Sequence, residues 1–235
     1  KNMSVKFALA FSPIVAMTNV SAGITQNAIM RAVGRNIYSK SNDRALGVMT
    51  KLLPESLKDI GSFDPQSKVN KILYNFGIYN MVDRYRNSKF NKTLRLLPET
   101  SFGLMAIGNF GLEGQTTLAK LMDIRLIDGK FVDWRRYSTR QKTIGGKTNS
   151  EIKSEFDVHS DKSMYDYIQD DGTFNLEKLK ADGYNGDIEK DQSLAMTQIR
   201  SLAALTTMEI AKHHEGFGAR DPWVSFILSL KKWLV

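Results

Sequence analysis

Asp123-Ile124-Arg125-Leu126-Ile127-Asp128-Gly129-Lys130-Phe131-Val132-Asp133-Trp134 is the sharpest local signal in the 235-residue chain. Asp128-Gly129 divides two β-prone runs, and an Asp-Gly pair accepts the positive φ values of the two-residue turn that matches strand twist. The stretch therefore predicts a β-hairpin. One hairpin alone is marginal in water and has to lie on other structure. Just upstream, Phe102 to Met122 has a helical pattern that contains Gly103, Gly108, Gly111 and Gly114. Each interior glycine costs about 0.5–1 kcal/mol relative to Ala, so close packing against another segment is the expected reason for them. The predicted fold is mainly α, a helical bundle-like segment with one β-hairpin.

Towards the N-terminus, Val69, Ile72, Leu73, Phe76, Tyr79, Asn80 and Val82 recur at mostly helical spacing and predict an amphipathic helix over 67–85. Leu52-Leu53-Pro54-Glu55-Ser56 and Leu96-Leu97-Pro98-Glu99-Thr100 are near-copies 44 residues apart. Each sets Pro and then Glu where a helix should start, since the missing amide is harmless there and the carboxylate meets the positive end of the dipole. Ser12-Pro13 predicts a further helix start. Phe7 to Met30 holds no charge over 24 positions, long enough for a bilayer core of about 30 Å. Ser12, Thr18, Asn19, Ser21, Gln26 and Asn27 interrupt it, and favour a buried or interface-packed helix over membrane insertion.

Towards the C-terminus, 163–169 reads as a short helix, Asp170-Asp171-Gly172 as a turn, and Asn175 as the cap of a run through Lys180. Asp187 to His214 carries the longest helical pattern, closed by Gly216 and Gly218. Asp221-Pro222 opens a last helix on which Trp223, Phe226, Ile227, Leu230, Trp233 and Leu234 form one stripe. That stripe needs a partner surface. Trp223, Phe226, Leu230 and Trp233 are accordingly the candidate protein-interface residues, aromatic anchors of the kind that dominate binding energy.

Charge sorts the chain further. With 33 Lys+Arg against 25 Asp+Glu the net charge is +8, which favours an anionic partner. Residues 1–147 hold 23 basic and 10 acidic residues, and the remainder hold 10 and 15. Three stretches follow: a basic helical part over 1–122, the hairpin and a basic loop over 123–150, and a helical part with acidic loops over 151–235. Thr143 to Ser154, rich in Gly, Thr, Ser and Lys, reads as loop. Arg135, Arg136, Arg140, Lys142 and Lys147, beside Trp134 and Tyr137, are the candidate nucleic-acid residues, mobile cations for phosphates with aromatics to stack on bases. Arg84, Arg86, Lys89, Lys92 and Arg95 spread over about 200° of a helix at 100° per residue, too wide for one phosphate track.

Reactive chemistry is sparse. Without cysteine there is no disulfide, zinc-thiolate site, iron-sulfur centre or Cys nucleophile. Gly146-Lys147-Thr148 lacks the upstream glycine of a phosphate-binding loop, since position 141 is Gln141. His213 and His214, adjacent on a helix, point about 100° apart and cannot chelate one ion together. Asp166, Asp170, Asp171, Asp182, Asp187 and Asp191 do not fit calcium-loop spacing and read as turn caps and solvated faces. No catalytic residue, metal ligand or cofactor site is assigned.

Two runs resemble a known family. Phe7-Ala8-Leu9-Ala10-Phe11-Ser12-Pro13, continuing through Asn19 and Gly23 to Gln26, and Gly111-Leu112-Glu113-Gly114-Gln115 leading through Leu118 and Leu121 into the hairpin, are similar to stretches of very large internal virion proteins of tailed bacteriophages, including the crAss-like phages of gut bacteria. The long helix containing Arg200, followed by Lys231-Lys232-Trp233-Leu234, fits the same likeness. Leu112 separates Gly111 from Glu113 where that family is expected to have a Gly-Glu pair. The resemblance implies a structural or cargo protein held in the capsid or tail lumen and ejected into the host cell with the genome. Other virion proteins would be its partners, with phage DNA and the host membrane as further contacts. It also implies a piece of a longer, processed polypeptide, in keeping with a chain that opens on Lys1. The rival expectations are a segment of a virion-packaged nucleic-acid enzyme of RNA-polymerase type, whose aspartates would gather around Mg²⁺, and a membrane-active ejection protein.

Overall fold

The computed structural model describes residues 37–59, 62–77 and 99–206. The fold is mainly α, and the predicted hairpin is present. In chain order the elements are α1 (Ser39–Ser56), β1 (Leu57–Asp59), β2 (Ser62–Phe63), α2 (Lys68–Asn75), α3 (Glu99–Asp123), β3 (Ile124–Ile127), β4 (Lys130–Asp133), α4 (Trp134–Gly145), α5 (Asn149–Val158), a 3₁₀ turn (Met164–Tyr167), α6 (Leu176–Ala181) and α7 (Ile188–Thr206). β1 and β2 add a minimal antiparallel ladder with an irregular register.

The hairpin forms for the reason its sequence states. Asp128 and Gly129 take φ values of 51° and 74°, and the register runs from Ile124 opposite Asp133 to Ile127 opposite Lys130. It is held on both sides: the Leu126 amide donates to the Lys162 carbonyl at 2.8 Å, and the Asn185 amide donates to the Gly129 carbonyl at 2.9 Å. The local caps also follow the sequence. Ser67 accepts from the Asn70 amide at the start of α2, and Asn175 from the Lys178 amide at the start of α6.

α3 is the axis of the packing, lying against α1 and α7. One core cluster joins Ile37, Met49, Ile72, Phe110, Leu121, Ile124, Met164 and Ile199, so residues from all three stretches of the sequence bury against one another. Gly114 sits where α1 crosses closely: a Cβ there would meet the Met49 side chain at 2.7 Å. Close packing thus accounts for Gly114. At Gly111 the same Cβ would meet nothing within 4 Å among the described residues, whose packing does not explain that glycine.

Three expectations are corrected. Pro54 lies inside α1 rather than at a helix start; its ring removes one i→i−4 bond, but the helix ends two residues later, where the Ser56 hydroxyl donates to the Leu52 carbonyl at 2.7 Å. α3, by contrast, does begin at Glu99. The helix predicted over 67–85 stops at Asn75, because Phe76 caps it and Gly77 turns left-handed at φ 70°; the positions from 78 to 85 lie outside the described residues. The loop predicted over Thr143 to Ser154 is only Gly146 to Thr148, between the ends of two helices.

Two glycine substitutions separate backbone need from chance. Gly129→Ala places a Cβ 2.7 Å from the Gly183 carbonyl oxygen at a left-handed φ and should destabilise by about 1–3 kcal/mol. Gly111→Ala, in open space on a helix, should stabilise by about 0.5–1 kcal/mol. Urea unfolding of the two variants checks both signs.

Candidate functional site

The basic cluster lies on helix α4 and its flank. Asp133 ends β4 and caps α4: one carboxylate oxygen accepts from the Arg136 amide at 2.8 Å, and the other from Gln198 Nε2 of α7 at 3.1 Å. Gly146 closes the helix in the left-handed conformation. Thr148 then caps α5 in a capping box with Glu151. These short-range bonds take the backbone through Trp134 to Val158 as two helices, where the polar composition predicts a loop.

Helical geometry sorts the side chains. Trp134 and Tyr137, three residues apart, are buried with Tyr38, Ile152 and Phe156. Tyr38 and Trp134 stack at 4.5 Å between ring centroids, and Trp134 and Phe156 at 5.1 Å. Arg135, Arg136, Arg140 and Lys142 are exposed. At 100° per residue they cover an arc of about 160°, Arg136 one turn from Arg140 and Arg135 two turns from Lys142. Among the described residues no carboxylate lies within ion-pair distance of these four.

The structure therefore keeps four of the five nucleic-acid candidates together and changes their setting. They stand on an ordered helix, not a mobile loop. Trp134 and Tyr137 are not free to stack on bases, because burying their rings anchors the helix that carries the cations. Lys147 is drawn away to the Glu155 carboxylate of α5, which also accepts from the Tyr137 hydroxyl at 2.9 Å. Those two bonds hold the Glu155 carboxyl below its ordinary range. The interface candidates Trp223, Phe226, Leu230 and Trp233 lie outside the described residues. So do the run from Phe7 to Met30, the basic residues from Arg84 to Arg95, and His213 and His214. Among the described residues, no helix is long and apolar enough to cross a membrane.

The aspartates are individually engaged. Asp166 takes the Arg44 guanidinium in a two-point pair, Asp170 meets Lys68 at 3.1 Å, and Asp171 accepts from the Thr173 amide and hydroxyl. Asp182 accepts from the Tyr167 hydroxyl at 2.9 Å, Asp191 from the Tyr184 hydroxyl at 2.8 Å, and Asp187 from the amides of Glu189 and Lys190. Asp171 and Asp187 are the turn caps that the sequence predicts, whereas Asp166, Asp170, Asp182 and Asp191 are paired with cations or tyrosine hydroxyls rather than left on solvated faces. Among the described residues no three acidic or histidine side chains gather as a metal site.

A second polar assembly, which sequence reasoning missed, lies behind α4. Arg125 of β3 is only 3% exposed. Its guanidinium donates to the Phe156 carbonyl, lies 3.4 Å from the Ser41 hydroxyl and 3.7 Å from the Asp157 carboxylate, and sits 4.0 Å from the centre of the Phe156 ring. Asp157 also accepts from the Tyr38 hydroxyl at 3.2 Å and pairs with Lys40 at 2.5 Å. Two residues before Arg125, the fully buried Asp123 accepts from the Tyr38 amide at 2.8 Å and from Lys120 at 3.1 Å. Burial pushes its carboxyl upward against the pull of both donors.

Burial and the neighbouring carboxylates, Asp157 and Glu155, push the Tyr38 and Tyr137 phenols up from 10.0 to about 12. A raised folded-state pKa leaves the stabilisation intact below the unfolded value near 10 and removes it as pH rises towards 12. Alkaline titration should show these two phenolates forming together with loss of helical circular dichroism between pH 10 and 12. Ionisation of both at an ordinary pH with the helices intact would contradict this linkage. Against known proteins, the chain matches no family, no curated protein and no solved structure.

Proposed function

We propose that this chain is an internal structural and cargo component of a tailed-phage virion, held among other subunits by helix packing and meeting the phosphates of packaged DNA through the outer face of α4. The observation that carries the DNA contact is the grouping of Arg135, Arg136, Arg140 and Lys142, exposed on one side of a helix whose other side is anchored by Trp134 and Tyr137. A row of cations with no carboxylate among the described residues in ion-pair distance binds a polyanion by releasing counterions, with no base-specific contact required. The virion setting rests on the likeness of the runs beginning at Phe7 and Gly111 to internal virion proteins. Ejection into the host belongs to the same reading.

The DNA contact is tested by fluorescence anisotropy with a random-sequence duplex over a range of salt. Binding should weaken linearly in log–log form, with a slope of about −0.9 per phosphate neutralised. Replacing Arg135, Arg136, Arg140 and Lys142 together by Gln should flatten the slope by up to roughly 3.6 and leave the helical circular dichroism unchanged. Affinity that ignores salt, or survives the fourfold variant, rules the α4 face out. The virion setting is tested separately by cross-linking intact particles and asking whether this chain is recovered among internal components.

A further inference from the structure

Three cations that share the lining of one cavity are not used by the α4 face. Lys40, Ser41 and Arg44 of α1, Arg125 of β3, and Asp157 and Ser160 at the end of α5 line a cavity of about 180 Å³. Pockets for drug-sized ligands run to about 300–1,000 Å³, so this one suits a small molecule. The lining holds three cations against one carboxylate. Arg44 is further held by Asp166 at 2.5 Å, which leaves one positive charge in excess. Arg125 is the deepest of the three, and its Nε has no hydrogen-bond partner among the described residues. An unpaired buried donor is uncommon because it forfeits its hydration without replacement. Burial accordingly lowers the Arg125 pKa, and Asp157 and Asp123 only partly oppose that shift.

We propose that this cavity binds a small tetrahedral oxyanion of the phosphate class, free or as a small phosphomonoester, between the guanidinium groups of Arg125 and Arg44, with Lys40 as a further donor. Guanidinium and ammonium donors make the strong charge-assisted bonds that such an anion needs. Lys40 is the adjustable member: its side chain is 67% exposed and already reaches inward to Asp157. Asp157 is the competitor, since it already pairs with Lys40 and lies 3.7 Å from Arg125. The site is independent of the α4 face, and neither reading requires the other.

The test follows the arginine Nε–H resonances of the full chain by NMR during titration with inorganic phosphate, with chloride at matched ionic strength as control. Glycerol phosphate in a parallel titration distinguishes a monoester from the free ion. Phosphate or the ester should shift the Arg125 Nε–H saturably, and chloride should not. Lys40→Ala, at an exposed position, should weaken binding about tenfold, and Asp157→Asn, which removes the competing charge, should tighten it. A shift that chloride reproduces, no saturable shift at millimolar phosphate, or affinity unchanged in both variants would overturn the proposal. Replacing the α4 cations by Gln should leave this titration unaltered, so its failure is distinguishable from failure of the DNA contact.

Discussion

The packing of α1 and α5 turns on the junction between α3 and β3, where two opposite charges, Asp123 and Arg125, are carried into the protein interior two residues apart. A buried ion is expensive, and removing the partner of one typically costs about 3–5 kcal/mol. Asp123 ends α3, the helix end that repels a carboxylate, and Lys120 and the Tyr38 amide have to compensate it. Arg125 recruits the Phe156 carbonyl and Asp157 from α5 and Ser41 from α1. Satisfying two buried charges therefore fixes where α1 and α5 lie on the helix–hairpin unit.

That constraint reaches both candidate sites. The rings of Tyr38 and Phe156 pack beside the Arg125 guanidinium, and the same two rings pack against Trp134 and Tyr137 on the inner face of α4. The outward position of Arg135, Arg136, Arg140 and Lys142 follows from which face the aromatics occupy. On its other side, Arg125 borders the cavity between α1 and the end of α5. One strand residue thus stands between an aromatic anchor and a cationic cavity.

How much could be read in advance depended on the range of the bonds involved. The hairpin was legible because Asp128-Gly129 is a turn on its own terms. The helix α4 was not, since Trp134 and Tyr137 are the buried residues of a twelve-residue segment otherwise dominated by polar groups, too few to establish a period. Its ends did carry signals: Asp133 as cap, Gly146 as left-handed stop, and Thr148 with Glu151 as capping box. Nothing near Arg125 in sequence marks it as buried, because its partners lie 31 and 84 residues away.

Local chemistry in the sequence by itself determined the mainly helical composition, the turn at Asp128-Gly129, the caps at Ser67 and Asn175, and the turn roles of Asp171 and Asp187, all through bonds spanning a few residues. Only the tertiary structure decided which face of α4 is buried and which carries the cations outward. It also decided that Trp134 and Tyr137 anchor that face, that Lys147 turns to Glu155, and that Lys40, Arg44 and Arg125 meet around one cavity. The reason is physical: Tyr38 and Asp157 are 119 positions apart, and no local preference chooses between such partners until buried charges and rings have to be satisfied together.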